Sequence, residues 1–119
     1  MAAPNIASAN TITGKNYGCA VGISRTDLVP AVATGACARL TFLYLANVDG
    51  IASVDGTVEL YDSSANTYYK LGNTLPVPPD ATINFLEKGP LYLEEGDKVV
   101  VTASVAGDLE AVASGEVIT

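Results

Sequence analysis

The sequence predicts an all-β fold: a single-domain antiparallel β-sandwich of Greek-key or jelly-roll type, with an extended N-terminal arm. Three observations predict it. Short segments of alternating apolar and polar residues recur along the chain, turn residues such as Asp49-Gly50, Gly89-Pro90 and Gly107-Asp108 separate them, and no stretch carries the 3.6-residue period of an amphipathic helix. The turn signals come roughly every 8–14 residues and leave room for about seven to nine short strands, which sandwiches usually connect by Greek keys rather than as a meander.

Composition sets the limits. A chain of 119 residues with 49% hydrophobic and 16% charged residues has the apolar material for one buried core, the reverse of a disordered composition. The net charge is −7, and the six Lys and Arg are scattered singly, so the grouped cations that neutralise phosphates are missing and nucleic acid is not an expected partner. No run approaches the roughly 20 apolar residues of a membrane helix, and MAAPNIASAN lacks the charged and apolar regions of a signal peptide; synthesis in the cytoplasm and no membrane partner are expected.

Residues 1–10 read as the arm and residues 11–119 as the sandwich domain. The arm is small and polar, with Pro4 blocking an early helix. It is either a tail without a contact or an extended strand that pairs with a neighbouring subunit's sheet edge. From Thr11 to Ser24 the segment is β-prone but broken by Gly14, Gly18 and Gly22, which weaken a strand or mark bulges. LVPAVA offers a short strand, placed at an edge by Pro30.

ACARLTFLYLANV is the most hydrophobic unit. Leu40, Phe42, Tyr44, Ala46 and Val48 are expected on one face and Leu43 and Leu45 on the other, so the strand is central or lines a subunit contact. Asp49-Gly50 closes it and Asp55-Gly56 is read as a second turn leading into TVELYD, with Val58 and Leu60 inward and Thr57, Glu59 and Tyr61 outward. After the polar loop Ser63–Asn66, TYYKLGNTLPVP brings Tyr68, Tyr69 and Leu71, and the prolines at 76, 78 and 79 exclude a central strand. ATINFLEKG is a further strand. The run Pro90–Ala106 then reads as a hairpin reversed at Glu95-Gly96-Asp97, with Gly96 at positive φ in a solvated turn, and LEAVASGEVIT closes the chain.

Catalytic and metal chemistry finds no pattern to stand on. There is no histidine, so acid-base work would fall to Glu94, Glu95, Asp97, Asp49 or Asp55, and an acidic hairpin tip without Trp platforms does not resemble a glycosidase cleft. Asp49, Asp55 and Asp62 do not match the calcium-loop spacing and read as turn formers. No enzyme activity, cofactor or metal is expected. Cys19 and Cys37 are the only cysteines; they read as two buried free thiols, with a disulfide between them as the other reading. The tyrosines suit packing and subunit contact better than a small-molecule pocket.

Four stretches taken together, MAAPNIASANTITGK, LTFLYLANVDG with VDGTVELYDSS, LPVPPDATINFLEKGPLYLEEGDKVVVTAS and DLEAVASGEVIT, resemble small virion proteins of tailed bacteriophages. They cover most of the chain. The resemblance implies a head decoration, or cement, protein on the capsid surface, bound to the major capsid protein and often a symmetric trimer. It also implies contacts by the arm, through Ala2, Pro4, Asn5 and Ile6, and core or subunit-contact roles for Phe42, Tyr44, Tyr68 and Tyr69. Cys19 and Cys37 depart from it, standing where the family pattern has Val, Thr or Ser. A tail, neck or fibre sandwich and a host-glycan-binding module, the latter using Tyr61, Tyr68 or Tyr92, are the alternatives.

Overall fold

The computed structural model of the protein describes residues 10–119. The strands are β1 Ile12–Ala20, β2 Thr26–Val29, β3 Cys37–Asn47, β4 Val54–Asp62, β5 Thr67–Val77, β6 Thr82–Asn84, β7 Leu91–Leu93, β8 Lys98–Ala103 and β9 Leu109–Ile118. No helix occurs among the described residues. One sheet runs β1-β9-β3-β6, with β7 also on β3, and the other runs β2-β8-β4-β5; every pairing is antiparallel. These are called the β1 sheet and the β2 sheet.

β6 and β7 are two halves of one edge. β6 pairs with Tyr44–Ala46 and β7 with Ala38–Leu40 of the same strand. Counted as one, they give four strands per sheet in the interleaved order of a jelly roll. Between the sheets lie Leu40, Leu43, Leu45, Val54, Val58, Leu93, Val99, Val101 and Leu109, each at most 1% exposed. Burying a Leu or Val of this kind contributes about 1.5–3 kcal/mol, so this layer dominates the fold's stability.

The hairpin expected over Pro90–Ala106 does not form. β7 belongs to the β1 sheet and β8 to the β2 sheet, so Glu95-Gly96-Asp97 carries the chain across the sandwich instead of folding it back. Gly96 does take positive φ, at 84°, but the turn is not solvated throughout. Asp97 is buried, and its carboxylate accepts from Ser63 N–H (2.9 Å) and Glu94 N–H (3.0 Å) and shares the Ser63 O–H (3.2 Å) with the Glu95 carbonyl (3.0 Å). The crossover is thereby tied to the loop between β4 and β5.

β3 also differs from its expected alternation. Its pairing with β9 shifts between Leu40 and Phe42, leaving Thr41 as an extra residue. Such a bulge reverses which face the following residues occupy. Leu40 therefore joins Leu43 and Leu45 in the core, while Phe42, Tyr44 and Ala46 lie on the outer face. The two backbones come so close here that a Cβ on Gly115 would run into the Arg39 carbonyl.

Asp55-Gly56 is not a turn, since both residues lie within β4. The glycine is there because a Cβ would press on the Leu45 and Leu109 side chains of the facing sheet. β2 is an edge strand as expected, but it spans Thr26–Val29 and stops before Pro30 instead of running through LVPAVA; β5 with Pro76 is an edge strand, and the outward set Thr57, Glu59 and Tyr61 holds. The thiols of Cys19 and Cys37 are free, Cys37 buried and Cys19 half-buried. They align with Ala111 and Ile118 of β9, seven residues or about 23 Å apart along the strand, which no disulfide spans. Asn10 already donates to the Thr119 carbonyl at 2.8 Å, so the sheet's main-chain bonding begins at the last residue assigned to the arm.

Candidate interaction surface

The two outer faces of the sandwich have opposite chemistry. On the β1 sheet, strand register lines up Gly18, Val112, Tyr44 and Asn84 in one row, and Asn16, Ser114 and Phe42 in the next. The Phe42 and Tyr44 rings stack with centroids 5.0 Å apart, and Val112 beside Tyr44 is 43% exposed. Gly18, Ala20 and Ala46 around them are small, and the aromatic pair itself is half-buried. Charge is confined to the ends. Glu110 lies beyond Val112, and in the opposite direction Arg39 and Glu116 neutralise each other at 3.0 Å. The centre of this face carries no charge and sets aromatic and aliphatic groups among neutral Asn and Ser side chains, the profile of a protein contact surface.

The outer face of the β2 sheet is polar and satisfied by its own groups. Glu59 on β4 has a side chain only 5% exposed, yet it is held by Arg25 (Nε to Oε1 3.0 Å) and by Lys70 (3.4 Å). The hydrogen bond from Arg25 keeps the Glu59 carboxyl below the ordinary glutamate range against the cost of burial, and raises Arg25 in turn. Burying an acid without such partners would push its pKa upward. Arg25 also lies 3.8 Å over the Tyr68 ring, Lys98 lies 5.6 Å over Tyr61, and the two rings meet at 4.8 Å. Lys98 reaches Asp27 at 3.4 Å.

The expected contact residues thus divide. Phe42 and Tyr44 share the apolar face of the β1 sheet, whereas Tyr68 is on the outer face of the β2 sheet under Arg25. Tyr69, next along β5, points the other way and is 52% exposed. Ala2, Pro4, Asn5 and Ile6 lie outside the described residues. Sequence reasoning missed Val112 and the group formed by Arg25, Glu59 and Lys70. Val112 carried a signal, as an apolar residue alternating with Ala111 and Ala113, while Arg25 and Glu59 are 34 positions apart and carried none.

The acidic residues weighed for chemistry serve turns and backbone. Asp49 accepts from Ile51 N–H at 3.0 Å, and Asp62 accepts from Ser64 N–H at 3.1 Å and Ser64 O–H at 2.7 Å. Asp55 and Asp62 stand at opposite ends of β4. Among the described residues no group of three or more such side chains gathers around a metal position.

No protein-family model matches the chain, and comparison with curated proteins found no significant relative. Solved structures do share its architecture. A protein of Bacillus endospore appendages, described as disulfide-linked pili, aligns at TM-score 0.54 and 13% identity over 92% of this chain and 87% of its own. The Drosophila NLP core, described with pentamer formation and histone binding, gives 0.53 and 13% over 87% and 98%. The nucleoplasmin-like N-terminal domain of Drosophila FKBP39 gives 0.53 and 10% over 94% of both chains. At such identities the likeness is one of fold, and what it establishes is that this chain is a β-sandwich of the kind these proteins share.

Proposed function

We propose that the protein is a structural subunit of a virus particle, a head decoration protein that binds the assembled shell from outside and bridges major capsid subunits as a symmetric homo-oligomer, in the first instance a trimer. The observation that carries this reading is the uncharged Phe42, Tyr44 and Val112 face on an otherwise acidic chain. Such a face is stable in water only at a cost that a partner removes, and a rigid sheet presents it with little ordering entropy to lose. The resemblance in sequence to phage virion proteins supports the same reading, as do neighbours of like fold that are described as pili and as pentamers.

The role needs no bond-making step, cofactor or metal. A protein that binds the mature lattice and not its precursor biases the shell toward the mature state by its binding free energy, and each added copy resists internal pressure through more contacts. A glycan-binding role is less well supported, because Arg25 and Lys98 already occupy ring faces of Tyr68 and Tyr61 on which a sugar would stack.

The test is the copy number of this chain relative to the major capsid protein in purified particles, by quantitative mass spectrometry, with Val112→Lys alongside. Near-stoichiometric occupancy in the wild type and loss in the variant is the expected result. A handful of copies per particle would move the protein to the neck or tail, and absence from particles would overturn the virion reading.

A further inference from the structure

A two-sheet sandwich has four edges, and on three of them this chain obstructs strand pairing. β2 is four residues long, shifts register between Asp27 and Val29, and runs into Pro30. β5 contains Pro76 and places Thr74 at φ 52°, and its pairing with β4 shifts register twice. The edge beside β3 is split into β6 and β7, three residues each. Short, bulged or proline-bearing edges of this kind are how soluble sheets avoid adding strands.

β1 has none of these obstructions. It pairs with β9 through nine residues without a register shift, contains no proline, and carries one charge, Lys15. Among the described residues nothing pairs with its other edge. The phase of its ladder is fixed at both ends: Thr119 N–H donates to the Thr11 carbonyl at 2.9 Å, Thr11 N–H to the Thr119 carbonyl at 3.2 Å, and Val21 N–H to the Leu109 carbonyl at 2.9 Å. Antiparallel alternation then turns the main-chain groups of Thr13, Lys15, Tyr17 and Cys19 toward β9. Those of Ile12, Gly14, Asn16, Gly18 and Ala20 face the open edge.

We infer that this edge pairs with the β1 edge of a second copy, antiparallel, about a two-fold axis at Asn16. The sequence of the strand favours its own copy as the occupant. Centring on Asn16 overlaps all nine residues and sets Ile12 against the partner's Ala20 and Gly14 against the partner's Gly18 as hydrogen-bonded pairs, about ten main-chain bonds in all. Lys15 then falls in a closer, non-hydrogen-bonded pair opposite the partner's Tyr17, the residue type its own ammonium already overlies at 5.9 Å. Centring one residue earlier would oppose two Lys15 side chains, which is unfavourable. The pairing makes one continuous sheet of two β1 sheets and sets their Phe42, Tyr44 and Val112 faces side by side. It does not depend on shell binding, but it replaces the trimer of that reading with a two-fold pair, so association in threes would overturn it.

The test uses the full chain in solution. Sedimentation equilibrium is expected to show concentration-dependent association in pairs, and amide exchange by NMR is expected to show Ile12, Gly14, Asn16, Gly18 and Ala20 gaining protection as concentration rises. Gly14→Pro removes an outward donor without touching the β9 ladder, and Gly14→Ala keeps it; a Cβ at this position meets nothing within 4 Å. The proline variant should weaken pairing about tenfold or more, and the alanine variant should leave it unchanged. A monomer at every concentration, or equal association in both variants, overturns the inference. So does association lost in Val112→Lys while those five amides still exchange fast, which assigns the contact to the apolar face. Loss of association on removing residues 1–9 would give the edge to a neighbour's N-terminal segment, and equally overturns it.

Discussion

Arg25 grips both carboxylate oxygens of Glu59, Nε to Oε1 at 3.0 Å and Nη2 to Oε2 at 3.2 Å, on a face where Glu59 is nearly covered and Arg25 half open. The pair clamps the entry to β2 onto the middle of β4, with Lys70 from β5 on the second oxygen. Because the hydrogen bond from Arg25 depresses the carboxyl, Glu59 stabilises the fold at pH values above the ordinary glutamate pKa. That contribution is lost as pH falls through the lowered folded value. Glu59→Gln should cost about 1.5 kcal/mol at neutral pH, the half-exposed cations keeping the figure low. Urea denaturation from pH 7 into the acid range checks it: the gap between wild type and variant should close on acidification.

Asp97 makes a second prediction. The bonds it accepts from Ser63 join the β7–β8 crossover to the β4–β5 loop, the bond from Glu94 N–H closes the crossover on itself, and removing them leaves the Ser63 and Glu94 amides without that acceptor. Asp97→Ala should destabilise by about 2–3 kcal/mol. Asp97→Asn should cost less, since one side-chain oxygen still accepts from Ser63 while the new amide opposes the Glu94 donor. Equal midpoints for wild type and Asp97→Ala in chemical denaturation would refute this.

These two residues also show what could and could not be read in advance. Strand positions around Leu43, Val58, Val99 and Ala111 were legible, because alternation and turn residues are local signals. Whether β7 and β8 share a sheet was not, since Glu95-Gly96-Asp97 reverses or crosses with the same residues and only the partners β3 and β4 decide. Phe42 and Tyr44 were legible as contact candidates from their type. That Leu40 leaves their face for the core depends on a bulge at Thr41 made possible by Gly115, 74 positions away in the chain, and no local pattern announces it.

The thiols give a third prediction. Their separation along β9 precludes an internal bridge, so alkylation in denaturant should add two labels with or without prior mild oxidation of the monomer. In the native protein Cys19 should react first. Burial and, behind it, the Asp27 carboxylate raise its thiol pKa, so its reaction should be slow at neutral pH and accelerate only above the ordinary thiol range. Asp27→Asn should speed it modestly at a given pH. Cys37, raised by burial and more deeply covered, should stay slower than Cys19.

The glycines separate two kinds of close packing. At Gly115 the obstacle to a side chain is the Arg39 main chain inside a paired ladder, which cannot move without breaking the β3–β9 register. At Gly56 the nearest obstacle is Leu45 Cδ1, the far end of a flexible side chain at 2.5 Å. Gly115→Ala should therefore cost about 3 kcal/mol or prevent folding, and Gly56→Ala about 1–2 kcal/mol through a shifted Leu45 rotamer. Thermal melts give the ranking directly. If the two alanines cost the same, the bulge at Thr41 is able to relax, and then the separation of Leu40 from the face of Phe42 and Tyr44 is not fixed by Gly115.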